Sequence, residues 1–186
     1  ENPSAVDEPQ IDEPLVPIKG NLDTYRIILR EAGPDQGKPV IDLGFANHFN
    51  HPDLESGHFK ERDIVLSAGA ALRGRPEGAT EADIFTYRGW VLEVTDGDTI
   101  WILIDLGFGF TTKQHLRLRG IDAPEITTRA GQEAKRFVEK ELKDVPYVVV
   151  TSTKSDKYDR YLADIFYETK HGEQFLNNRL LKENLA

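Results

Sequence analysis

Gly89-Trp-Val-Leu-Glu-Val-Thr-Asp-Gly-Asp-Thr-Ile-Trp-Ile-Leu-Ile-Asp105 is the stretch on which the fold turns. Gly89–Val94 reads as a strand, Asp96-Gly97 is a tight-turn signal, and Thr99–Asp105 reads as the returning strand, so the whole is a hairpin. Working outward, Gly107–Lys113 reads as the next turn. Gln114-His-Leu-Arg-Leu-Arg119 alternates as a strand does. Gly131–Leu142 spaces Ala134, Phe137, Val138 and Leu142 as a helix does, with Thr127 or Thr128 near its start. Tyr147–Val150 and Tyr161–Tyr167 read as further strands, and Gln174–Asn184 as a closing helix. Five strands with one inserted and one closing helix predict an α+β, mainly β fold: a five-stranded OB-type barrel over residues 85–186.

Upstream, Tyr25–Leu29, Val40–Leu43 and Asp63–Ser67 are short apolar runs separated by Gly, Pro and Asp, which predicts a small β-rich region over residues 19–84. Residues 72–83, with Gly74, Pro76 and Gly78, read as a linker or long loop. Residues 1–18 carry three Pro and five acids before Leu15 and read as an acidic disordered tail. Thr24-Tyr-Arg26 with Ile41-Asp-Leu-Gly-Phe45 recurs as Thr86-Tyr-Arg88 with Ile104-Asp-Leu-Gly-Phe108, but one short match does not by itself establish a repeat.

Composition narrows the function. The 186 residues are 39% hydrophobic and contain no Cys, which excludes disulfides, thiolate metal sites and a cysteine nucleophile. No apolar run is long enough to span a bilayer, no signal peptide is visible, and Glu1 is not an initiator Met, so an upstream segment is expected to have been removed. The compartment stays open and a monomer is expected. The net charge of −9 argues against non-specific nucleic-acid binding by the chain as a whole. The charge is uneven, however: residues 1–85 hold 8 Lys/Arg against 16 Asp/Glu, and residues 86–186 hold 15 against 16.

The carboxylates Asp96 and Asp98 flank Gly97 in a hairpin turn, and Asp122 and Glu125 flank Ala123-Pro124 after a strand. Oxygen ligands converging from such turns suit a hard cation, Ca²⁺ or Mg²⁺, and no neighbouring His or Cys points to zinc. Arg117 and Arg119 share a strand face, and Arg160 follows Asp156-Lys-Tyr-Asp159; guanidinium groups beside a cation make a phosphate site. Taken singly, each motif is more often an ordinary turn, solvated loop or surface pair; their joint occurrence in this order carries the reading. His48, His51, Asp53, Glu55 and His58 read as loop polarity rather than a metal site.

Val94-Thr-Asp-Gly-Asp-Thr99, Arg117-Leu-Arg-Gly-Ile-Asp-Ala-Pro-Glu125, Asp156-Lys-Tyr-Asp-Arg-Tyr-Leu-Ala163 and Leu176–Ala186 together resemble the staphylococcal nuclease (thermonuclease) family. The resemblance implies Asp98, Asp122 and the Ala123 carbonyl as Ca²⁺ ligands, and Glu125 as general base. It also implies Arg117 and Arg160 as phosphate-binding arginines, with Tyr158 and Lys157 at the substrate. The implied activity is calcium-dependent hydrolysis of DNA or RNA, single strands preferred; the alternative is a non-catalytic OB module that binds nucleic acid or protein, or an adaptor. Ala123 stands where the best-known member has Thr, and Asp159 where Gly is common. A base-stacking aromatic that secreted members carry further along would lie past Ala186. These departures bear on affinity more than on chemistry.

Overall fold

The structure, a computed structural model, describes residues 13–74, 77–155 and 161–186. It contains two antiparallel-rich sheets. The first has strands β1 (Thr24–Leu29), β2 (Pro39–Gly44), β3 (Asn47–Phe49), β4 (Ile64–Ala68) and β5 (Ala71–Arg73) in the order β3-β2-β1-β4-β5. The second has β6 (Thr86–Val94), β7 (Thr99–Gly107), β8 (Phe110–Leu118), β9 (Val148–Ser155) and β10 (Tyr161–Thr169), with β11 (Gly172–Phe175) folded back on β10. Strand β6 pairs with β7, β7 with β8, β8 with β10 in parallel, β10 with β9, and β9 with β6, which closes a five-stranded barrel. Helix α1 (Arg129–Leu142) is inserted between β8 and β9, and helix α2 (Leu176–Lys182) closes the chain. This is the OB-type, mainly β architecture expected from the sequence.

Alternation along β7 explains the barrel interior: Ile100, Ile102, Ile104 and Leu106 are fully buried, as are Leu116 and Leu118 on β8 and Ile165 on β10. Each such side chain contributes about 1.5–3 kcal/mol by leaving water. Helix α1 turns Ala134, Val138 and Leu142 inward, and α2 turns in Leu176 and Leu180.

The turn expected over Gly107–Lys113 is shorter than the sequence reading placed it. Gly107 pairs directly with Phe110, so Phe108 and Gly109 alone make the turn, with φ of 53° and 81°. Two consecutive left-handed residues give the twist that a two-residue hairpin needs; a Phe in the first of them hid the signal. The same turn recurs at Phe45 and Ala46, with φ of 50° and 59°, where Gly44 pairs with Asn47. The stretch expected as a linker over 72–83 holds the end of β5 and a capped 3-10 turn, Glu81–Asp83, among its described residues.

The recurring sequence phrases occupy equivalent places. Arg26 pairs across strands with Asp42, and Arg88 with Asp105. The Gly44 amide donates to Asp42 Oδ1 at 2.9 Å, and the Gly107 amide to Asp105 Oδ1 at 2.9 Å. The two hairpins then embrace: Tyr25 donates its hydroxyl to the Leu106 carbonyl at 2.9 Å, and Tyr87 donates to the Leu43 carbonyl at 2.8 Å. Phe108 packs on Tyr25 and Phe45 on Tyr87. Residues of both sheets therefore share one apolar core.

Gly44 and Gly107 stand where a β-carbon would overlap the tyrosine hydroxyl of the opposite hairpin, and both have φ near +80°. Gly107→Ala is expected to lower stability by roughly 2 kcal/mol, from the methyl overlap and the left-handed backbone together. Tyr25→Phe should cost about 1 kcal/mol through the lost hydrogen bond. In urea denaturation the double variant should lose less than the two single losses combined, because the overlapped oxygen is gone; strictly additive losses would contradict the reciprocal packing.

Candidate functional site

The turn between β6 and β7 carries Asp98. Its amide donates to Asp96 Oδ1 at 3.1 Å, which tightens the turn and turns the Asp98 carboxylate inward, where it is 4% exposed. Asp98 Oδ1 accepts from the Thr99 hydroxyl at 2.8 Å, and Oδ2 accepts from the Ala123 amide at 2.9 Å. Burial raises the carboxyl's pKa above its ordinary value, opposed by those two hydrogen bonds and by Arg117.

Arg117, near the end of β8, reaches both acid-bearing turns. One guanidinium nitrogen lies 3.3 Å from Asp98 Oδ1; another donates to Asp122 Oδ1 at 2.7 Å and to the Ile121 carbonyl at 3.2 Å. Asp122 contrasts with Asp98: its side chain is 96% exposed. Glu125 is exposed on the same turn, and its carbonyl accepts from the amide and hydroxyl of Thr128, the residue that caps helix α1.

Small residues let these parts converge. A β-carbon on Gly97 would lie 2.6 Å from the Ala134 methyl and 2.7 Å from the Ala123 methyl, so the first turn, the second turn and the helix meet at one point. A β-carbon on Gly131 would overlap the Pro124 and Glu125 carbonyls. The connection from β8 into the second turn is anchored from behind. Arg119 forms hydrogen bonds of 2.6 and 2.8 Å with the fully buried Asp164, a pairing that raises the guanidinium's pKa. The buried Asn177 donates to the Arg119 and Ala163 carbonyls and accepts from the Ile165 amide. Asp164 also accepts from the Ile18 amide, and Asn178 exchanges hydrogen bonds with the backbone of Leu15, so residues 15–18 lie against this end of the barrel.

The structure thus brings together Asp98, Arg117, Asp122 and the Ala123 backbone, with Glu125 on the adjoining stretch. Lys157, Tyr158 and Arg160 lie outside the described residues, as do Asp156 and Asp159. Arg119, which shares a strand face with Arg117 in the sequence reading, lies past the end of β8 and is a structural partner of Asp164. Sequence reasoning had Gly97 only as a turn residue and Ala134 only as part of the helix spacing, and it missed the contacts made by Gly131, Asp164 and Asn177. Asp164 does carry a signal of its own, as an acid inside the apolar run Tyr161–Tyr167.

Among the described residues no group of three or more His, Cys, Asp and Glu side chains is disposed to hold a metal ion. His51 is buried, with its Nδ1 accepting from the Asp53 amide and its ring against Phe49 and Phe108, a packing role. The Asp98 and Asp122 carboxylates and the Ala123 carbonyl supply hard oxygen donors only. That donor set fits a Ca²⁺ that keeps much of its water, since the ion takes six to eight oxygens. A cleft of about 820 Å³ opens elsewhere, between the two sheets, and is lined by Arg26, Phe45, Phe85, Ser152 and Tyr161 among others. The acid-bearing turns do not line it, and its Arg26 is already paired with Asp42. Among the described residues no helix is long and apolar enough to cross a membrane.

Residues 115–186 match the sequence model of the family described as staphylococcal nuclease homologue. The match covers Arg117, Asp122, Ala123 and Glu125 and begins after Asp98. An uncharacterized protein of Methanocaldococcus jannaschii is 34% identical over an alignment 125 residues long, and the match covers 54% of this chain. The chain spans 58% of that relative's length.

Gly131→Ala separates two forces of opposite sign. Helix propensity alone predicts a gain of about 1 kcal/mol. The overlap with the Pro124 and Glu125 carbonyls predicts a loss of about 1–3 kcal/mol. A lowered urea midpoint is expected; a raised one would show that the turn does not pack against the helix.

Proposed function

We propose that this chain is a calcium-dependent nuclease that hydrolyses phosphodiester bonds in DNA or RNA, single strands preferred, by attack of water. The observation that carries the proposal is the Arg117 guanidinium joining Asp98 and Asp122 beside the Ala123 backbone, on turns of a closed OB-type barrel. The family match supports it, because that family points to nucleases in general.

Asp98, Asp122 and the Ala123 carbonyl would hold a Ca²⁺, which when bound supplies positive charge at the phosphate and lowers the pKa of a water. Glu125 takes the proton of the attacking water, for which an exposed carboxylate on a rigid, Thr128-anchored turn is suited. Arg117 grips the phosphate through a planar pair of donors and stabilises the charge that builds on its oxygens. Arg160 takes the second arginine role, and Tyr158 and Lys157 stand at the substrate, as the family resemblance implies. Arg117 is held ready by its bonds to the two acids. Binding substrate redistributes those bonds rather than ordering a free side chain, and this limits the entropy lost on binding.

Glu125→Gln keeps size and removes the base, so single-turnover cleavage should slow by roughly 10²–10⁴-fold while affinity for an uncleavable oligonucleotide holds or tightens. Arg117→Lys keeps the charge but loses the two-point grip, so cleavage should fall with net charge unchanged. An unaltered rate in Glu125→Gln removes Glu125 from the chemistry. Wild-type protein that binds the oligonucleotide but cuts nothing with any divalent cation would be a binding module instead.

A further inference from the structure

We infer that the outer face of β6, β7 and β8 is a stacking track along which a single-stranded nucleic acid runs into the Arg117 site. The inference rests on the nuclease reading and adds a binding surface to it. Leu116 and Leu118 point into the core, so alternation puts Arg117, His115 and Lys113 in one row on the opposite face of β8. In register beside that row, Trp101 of β7 faces His115, Leu103 faces Lys113, and Trp90 of β6 faces Leu103. The patch is therefore continuous with Arg117.

Its chemistry suits bases and phosphates. The Trp101 and His115 rings stack at 4.3 Å with 10° between their planes, and the Lys113 ammonium lies 4.7 Å from the Trp101 ring centre. Thr95 Oγ1 lies 3.0 Å from His115 Nε2 and steadies the ring. Trp90 is 40% exposed on this face, and Leu92, 50% exposed, sits beside it in the bulge of β6 between Val91 and Glu93; exposed apolar surface marks interaction sites when it is contiguous. Glu93, opposite Trp101, and Asp105, opposite Arg88, are the acids of this face. They leave Lys113 and Arg117 as the cations along the β8 row. From Arg117 to Lys113 the strand advances roughly 13 Å, about the length of four nucleotides stacked at ~3.4 Å. Flat rings that offer sequence-tolerant stacking, with a lysine beside them and a phosphate-gripping arginine at one end, are the elements of single-strand recognition. A protein partner would need no such alignment with Arg117.

Both tryptophans of the chain lie in this patch, so intrinsic fluorescence reads its occupancy. Titrating the full chain with a phosphorothioate oligothymidylate in Ca²⁺ should quench tryptophan emission saturably, with Trp90→Phe retaining quenching through Trp101. Trp101→Ala and Lys113→Ala should each weaken binding, the former about ten-fold or more. Both should raise KM for cleavage of a long oligonucleotide with kcat little changed. Trp101→Phe keeps a stacking ring and should bind nearly as wild type; it carries the comparison if Trp101→Ala fails to fold. Binding with unchanged emission, or wild-type affinity in Trp101→Ala, overturns the track while leaving cleavage, and hence the nuclease reading, intact. Quenching without cleavage in any divalent cation supports the track and removes the nuclease. Neither binding nor cleavage overturns both.

Discussion

One guanidinium organises the acid-bearing end of the barrel. Asp98 is buried and Asp122 is exposed, yet Arg117 bonds to both. Without it two carboxylates would face each other across adjoining turns, one of them with little water to screen it. Arg117 can take this position because its β8 neighbours Leu116 and Leu118 are locked into the core, and because Arg119, two residues on, is clamped to Asp164. The site is therefore an outgrowth of barrel packing. Its side chains stand on strand ends and on turns seated against helix α1, the kind of rigid support that chemistry at a phosphate requires.

The N-terminal half is bound to the barrel by the same means that build the barrel. Its β1–β2–β3 hairpins repeat the Tyr, Asp, Leu and Gly placements of β6–β7–β8, and the two sets exchange tyrosine hydroxyls for carbonyls. Residues 1–85 also hold an excess of 8 acids over bases. On the proposed function, a nucleic acid approaching the nearly neutral second half would meet repulsion from the first, an effect that salt weakens. Stacking on uncharged rings lessens the dependence of binding on net positive charge.

Much of this was legible in the sequence. The alternation of β7, the end of β8, β10 and both helices followed from apolar spacing, because one face of each is buried. Asp98, Arg117 and Asp122, which the structure brings together, were legible as candidates because they lie in short motifs. What stayed hidden depends on contacts across the chain. Asp164 and Asn177 act on Arg119 from 45 and 58 residues away. Gly97 and Gly131 matter for what lies opposite them, Ala123 and Ala134 in one case and two carbonyls in the other. The Phe45-Ala46 turn was missed and the Phe108-Gly109 turn was drawn too long, because bulky residues occupy left-handed positions that Gly or Asn usually mark. The short β3, β5 and β11 carry too few residues to show a period.

The account stands or falls on metal-dependent bond cleavage by the intact chain. End-labelled single-stranded DNA and RNA incubated with it should be cut in Ca²⁺ and left whole in chelator, with activity returning when Ca²⁺ is restored. Equal cleavage in chelator would contradict a site built on Asp98, Asp122 and the Ala123 carbonyl.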